Sequence, residues 1–207
     1  MNSTVIKKSE VGRPRTFEDE AIFQATTKVL NRVGHERLTL SAIALEVGCS
    51  APALVQRFGS KNALLLQFLK WSNRRSRERF LETTKDHDSP LAALRARICL
   101  PANERPDEIG DEAAAANLIG FYLMAWQDEE LRQHADERRK IVEDEFHELL
   151  LEAQKRGELK PSNERDLAHM LLCGILGVTF LWIGSPVGRI EDRIGELFDT
   201  MMKPYRV

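Results

Sequence analysis

From Phe17 onward, apolar residues at 17, 21, 22, 25, 29, 30 and 33 recur at helical spacing, so they form one buried face that Gly34 terminates. Leu40, Ile43, Ala44 and Val47 then fall at i, i+3, i+4 and i+7. They predict a short helix capped by Thr39 and ended by Gly48. Ser50 can cap a third helix, which tolerates Pro52 in its first turn and puts Leu54 and Phe58 on one face. After Gly59, Ser60 caps a long helix from Lys61 towards Thr84, with Leu64, Leu65, Phe68, Leu69 and Phe80 on its apolar side.

Further along, the pattern predicts a helix over 91–100 closed by Pro101, a loop over 102–110, and helices over 111–126, 129–156 and 164–183. Gly184-Ser185-Pro186 predicts a final helix capped by Ser185 and opened by Pro186, carrying Val187, Ile190, Ile194, Leu197, Phe198 and Met201. No alternating run is long enough to propose a sheet. The expected fold class is all-α with about nine helices, divided into a flexible basic arm (1–16), a three-helix bundle (17–63) and a larger helical part (64–207).

With 43% of its 207 residues apolar, the chain has ample material for a core and needs no disulfide staples. A net charge of -2 excludes a uniformly basic histone-like protein and a strongly acidic tail protein. The sum hides a division, because residues 1–80 carry a net +7 and residues 81–207 a net -9. The first part attracts a polyanion that the second repels. Cys49, Cys99 and Cys173 are too few and too scattered for a disulfide framework, and Met1 to Arg15 has no apolar block of signal-peptide length, so a cytoplasmic setting is expected. The most apolar stretch, Ala168 to Ile183, is 16 residues long. That falls short of the roughly 20 needed to cross a bilayer, so no membrane partner is expected.

Catalytic and metal patterns are poor. His147-Glu148 has Leu151 where a zinc protease needs its second His, no CxxC occurs, and Gly174 and Gly177 lie inside an apolar helix rather than in a phosphate loop. No enzyme, cofactor or metal is expected.

Two short helices separated by Gly48-Cys49, with a preceding helix to brace them, form the pattern of a helix-turn-helix, whose second helix enters the DNA major groove. Gly34, Leu38-Thr39, Ile43-Ala44, Val47-Gly48-Cys49-Ser50, Leu54, Phe58, Ser60-Lys61 and Leu64-Leu65 stand at the spacing of one family. Over Phe17 to about Phe68 the chain resembles the TetR/AcrR transcriptional regulators. The candidate DNA face of the second short helix comprises Ala51, Ala53, Val55, Gln56 and Arg57. Gln56 suits an adenine edge, Arg57 a guanine or a phosphate, and Ala53 or Val55 a thymine methyl. Ser50 and Lys61, at helix N-termini, suit phosphates, with Thr39 and Ser41 as second-rank contacts. Val55 stands where similar proteins usually have Tyr, and Arg57 where they commonly have His. The arm residues Lys7, Lys8, Arg13 and Arg15 are either a solvated tail or a further DNA contact, whereas the run Arg74, Arg75, Arg77 and Arg79 reads as a solvated helix face.

The resemblance also implies an effector pocket in the larger part, for which Leu94, Ile98, Phe121, Met124, Ala125, Phe146, Leu150, Met170 and Cys173 are the candidate lining. Few charges interrupt these faces, which points to an apolar or aromatic ligand. Dimerisation is expected through the last two helices, forming a four-helix interface in which Gly174 and Gly177 permit close approach. These expectations add up to a homodimeric repressor released from a palindromic double-stranded operator by a small molecule. The competing reading is an all-α ligand-binding or scaffold protein without specific DNA binding.

Overall fold

The computed structural model describes residues 18–103 and 111–207. The basic arm and most of the loop expected after Ala102 lie outside the described residues. The helices are α1 (Asp19–Arg37), α2 (Leu40–Val47), α3 (Ala51–Phe58), α4 (Lys61–Lys85), α5 (Pro90–Asn103), α6 (Asp111–Gln127), α7 (Arg132–Lys155), α8 (Glu164–Gly184) and α9 (Ile190–Met202). Among the described residues the extended pairing is a single antiparallel bridge between Leu159 and Arg206, so the chain is all-α as expected.

Several boundaries differ from expectation. α5 runs through Pro101 to Asn103. α7 begins after 129 because the Asp128 carboxylate accepts from the amides of Glu130 and Leu131 and holds a turn. α9 begins at Ile190 with Arg189 at its cap, not at Pro186. Residues 185–188 form a loop instead, in which Trp182 Nε1 donates to the Gly188 carbonyl at 3.1 Å and Gly188 takes a φ of 70°.

Two apolar cores result. In the first, Ile22, Phe23, Val29 and Leu30 of α1 meet Leu38, Ile43, Ala44, Leu54 and Phe58, closed by Leu64, Leu65, Phe68 and Leu69 of α4. This core extends past the expected boundary at residue 63 and also takes in Phe121 and Ala125 of α6 and Leu131 and Ala135 nearby. Phe68 anchors the junction, its ring centroid 6.5 Å from Phe23 and 5.9 Å from Phe121. Where α1 meets α6, Asn117 Nδ2 donates to the Asn31 carbonyl at 2.7 Å, and a Cβ on Gly34 would lie only 2.7 Å from Asn117 Oδ1. Gly34 also carries a φ of 76°, so both backbone and space require glycine there. The second core joins Phe80 of α4 to Leu94 and Ile98 of α5, Phe146 and Leu150 of α7, Leu171 and Trp182 of α8, and Ile194 and Phe198 of α9.

Between the cores, α4 crosses a polar layer. Arg97 Nη2 donates to Glu145 Oε2 at 2.6 Å and to Ser76 Oγ at 2.8 Å, and all three residues are buried. Burial pushes the Glu145 carboxyl upward against the pull of Arg97. Nearby, Asn73 Nδ2 donates to the His134 carbonyl, and Arg138 donates to the Ser72 carbonyl, tying α7 to the middle of α4.

Candidate DNA interface

Local chemistry delimits each short helix. Thr39 Oγ1 accepts from the Ala42 amide at 3.1 Å and opens α2. Gly48 then ends it with a φ of 82°, its amide donating to the Ala44 carbonyl at 2.9 Å. Ser50 Oγ accepts from the Ala53 amide and Ser60 Oγ from the Ala63 amide, so α3 and α4 are capped in the same way. Leu54 and Phe58 are buried, which fixes the rotation of α3 about its axis. That rotation leaves Ala53, Val55, Gln56 and Arg57 exposed on one side.

Pro52, missed in the sequence reading, shares that exposed face, since its ring at the start of α3 reads first as a helix-start signal. Ala51 is half-buried and packs on the first core at the edge of that face. Thr39, Ser41 and Ser50 are exposed beside it. Lys61 is the main departure: it is half-buried, and its Nζ donates to the His35 carbonyl at 3.2 Å, where the carbonyl end of α1 attracts a cation. Arg57 also has a fixed partner, with Nη2 2.7 Å from Asp19 Oδ1 in the first turn of α1. In the Arg74 to Arg79 run, Arg75 pairs with Glu78 and Arg77 with Glu148 of α7.

This region matches a family model. Residues 22–68 fit the bacterial regulatory proteins of the tetR family. Over that segment the chain is similar to the tetR family. It is a DNA-binding transcription regulator. Across 98% of this chain and 95% of the relative it is 24% identical to the HTH-type transcriptional repressor ComR of Escherichia coli. It is 28% identical to the nucleoid occlusion factor SlmA of Photobacterium profundum, over 80% of this chain and 84% of that one. The fold is shared with a transcriptional regulator from Saccharomonospora viridis crystallised with choline, at a TM-score of 0.75 and 16% identity, covering 91% of this chain and 97% of that chain.

Among the described residues, the nine expected to line an effector pocket divide between the two cores and the surface. Phe121 and Ala125 are buried in the first core, with Met124 packed against it. Leu94, Ile98, Phe146 and Leu150 are buried in the second. Met170 is 56% exposed, and Cys173 lies at the surface with Sγ 3.6 Å from His169 Nε2. Their apolar spacing marked them as buried, but periodicity does not say which of two cores a helix face serves.

The expected dimer stripe on α9 also needs correction. Ile190, Ile194 and Phe198 face inward, and a Cβ on Gly174 would stand 3.0 Å from Leu197 of the same chain, so that glycine serves packing within the protomer. Among the described residues, a run of exposed apolar side chains lies on α8 and the loop after it: Met170, Leu176, Phe180, Leu181 and Val187, with Phe180 68% and Leu181 72% exposed. An open groove of about 470 Å³, lined by residues including Val178, Leu181, Val187 and Leu197, continues this surface towards α9. By length and hydropathy alone α8 could cross a membrane, yet its other side packs on α7 and α9.

Proposed function

We propose that the protein is a homodimeric transcriptional repressor of the cytoplasm that reads an inverted-repeat operator through α3 and is released from it by a small molecule. The observation that carries the DNA reading is the exposed face of Ala53, Val55, Gln56 and Arg57 on a helix whose orientation is fixed by Ser50, Leu54 and Phe58. One such helix reads only a few base pairs, so useful specificity requires two copies at a fixed spacing. The exposed α8 surface supports that pairing, because an apolar area of this kind gains most when covered by its symmetry mate. Repression is supported by the likeness to the repressor ComR.

Release is a linkage effect. A ligand that favours one spacing of the DNA-binding heads lowers DNA affinity, and DNA lowers ligand affinity by the same factor. α4 is the natural coupling element, since Leu64 to Leu69 belong to the first core and Phe80 to the second. An apolar or aromatic effector suits the apolar residues that the second core gathers from α5, α7 and α8. The choline bound by the Saccharomonospora viridis regulator supports small-molecule occupancy of this fold.

Selection from a random duplex pool at near-physiological salt, followed by sequencing, tests the reading. An enriched inverted repeat is expected. No enrichment by a folded, dimeric sample would favour the scaffold alternative.

A further inference from the structure

We propose that His169 and Cys173 form a binding site for a zinc ion on the exposed side of α8, with Glu143 of α7 as the positioning residue that orients the imidazole. The inference goes beyond the DNA-binding reading and stands independently of it.

His169 and Cys173 are four residues apart in α8, so one turn of helix brings them to the same face, and both are exposed. Their ligating atoms are already together, with Cys173 Sγ 3.6 Å from His169 Nε2. A tetrahedral zinc ion holds a thiolate sulfur at about 2.3 Å and an imidazole nitrogen at about 2.0–2.1 Å, which sets the two ligand atoms about 3.6 Å apart. The pair therefore has the bite that the ion needs. Cys49 and Cys99 are poorer ligands, because burial pushes both thiols up and disfavours the thiolate that a metal binds.

The histidine is prepared for this role from behind. Its Nδ1 lies 3.4 Å from Glu143 Oε1, and the Glu143 side chain keeps only 15% of its surface exposed. Arg139 Nη1 donates to the other carboxylate oxygen at 2.7 Å and holds it in place. A carboxylate beside Nδ1 favours the tautomer protonated there, which leaves the Nε2 lone pair on the side of Cys173. The cations of the neighbouring surface do not oppose a metal ion. Arg139 pairs with Glu143, Lys140 with Asp136 and Arg165 with Asp144, so the local charges balance.

Among the described residues no three metal-ligating side chains converge, so two protein ligands hold the ion and water completes its coordination. A thiolate with an imidazole suits zinc, whereas magnesium and calcium select oxygen. Binding displaces the thiol proton to solvent.

The test titrates the reduced, metal-free protein with zinc against a chromogenic chelator, and repeats the titration with cobalt(II) as an optical probe. One zinc per chain is expected, and the cobalt complex should show a thiolate-to-metal charge-transfer band. His169→Ala and Cys173→Ser should each weaken zinc binding by at least about tenfold, with helical content unchanged. Glu143→Gln should weaken it on the order of tenfold and keep the cobalt band, because it alters the orientation of a ligand and not the ligand set. The double variant Cys49→Ser, Cys99→Ser should bind as wild type does. Zinc affinity in wild type no greater than in Cys173→Ser, or a cobalt complex without the thiolate band, would overturn the proposal and leave the pair a sulfhydryl–imidazole hydrogen bond. Binding that is lost in the Cys49→Ser, Cys99→Ser variant and kept in Cys173→Ser would overturn it as well. No step uses DNA, so a failure here leaves the operator reading standing, and a failed duplex selection leaves the metal site standing.

Discussion

The head formed by α1 to α3 and the body formed by α5 to α9 are both helical, but their order is written at different scales. In the head, each short helix has its own start and stop: Thr39 and Gly48 for α2, Ser50 and Gly59 for α3. In the body, the helices are long, α7 and α9 lack side-chain caps, and positions are set by distant partners such as Arg97 with Glu145 and Trp182 with the Gly188 carbonyl. The head is specified locally and presents a mixed reading face, with Ala53 and Val55 beside Gln56 and Arg57. The body is specified by packing and leaves an apolar face for a second chain.

If that contrast is right, the most damaging single change is in the body. Glu145→Ala leaves the Arg97 cation buried without its carboxylate and should destabilise the protein by about 3–5 kcal/mol, read by urea unfolding. Replacing both partners with apolar residues of similar volume should recover much of that loss. Leu181→Glu places a charge in the proposed dimer face and should weaken association by at least about 2 kcal/mol in sedimentation experiments, with the helical content of the protomer unchanged. A dimer of undiminished strength would place the interface elsewhere.

Changes in the head should be smaller and should follow local rules. Gly48→Ala forces an L-residue to hold a φ of 82° in open space, so backbone strain alone should cost about 1–2 kcal/mol in urea midpoint analysis. Thr39→Ala removes one cap and should cost about 1 kcal/mol. A Thr39→Ala loss as large as that of Glu145→Ala would erase the distinction between the two regions.

The same difference of scale explains what could be read in the chain. Caps and terminators are carried by residue type, so α2 and α3 and the rotation of the reading face were legible from Ser50, Leu54 and Phe58. The partner of Lys61 was not legible, because a position at a helix N-terminus says nothing about the His35 carbonyl, which only the fold brings within 3.2 Å. Asp19 was invisible as a partner of Arg57, since an acidic residue in a first turn is already accounted for by the helix dipole. In α9, Ile190, Ile194 and Phe198 showed that one face was apolar without showing whether it turned inward. The apolar run of α8 was legible from composition, but not which of its residues, such as Phe180 and Leu181, stay uncovered in the protomer.

The central claim is that the head chooses bases while the body sets the spacing between two heads. It is tested most directly by comparing duplex-selection profiles of wild type and of a Val55→Ala, Gln56→Ala variant. The account predicts an inverted repeat for wild type, with base preferences lost in the variant at the same symmetric positions of both half-sites and the half-site separation unchanged. An identical profile from the two proteins would contradict it, as would a variant whose half-sites persist at a different separation.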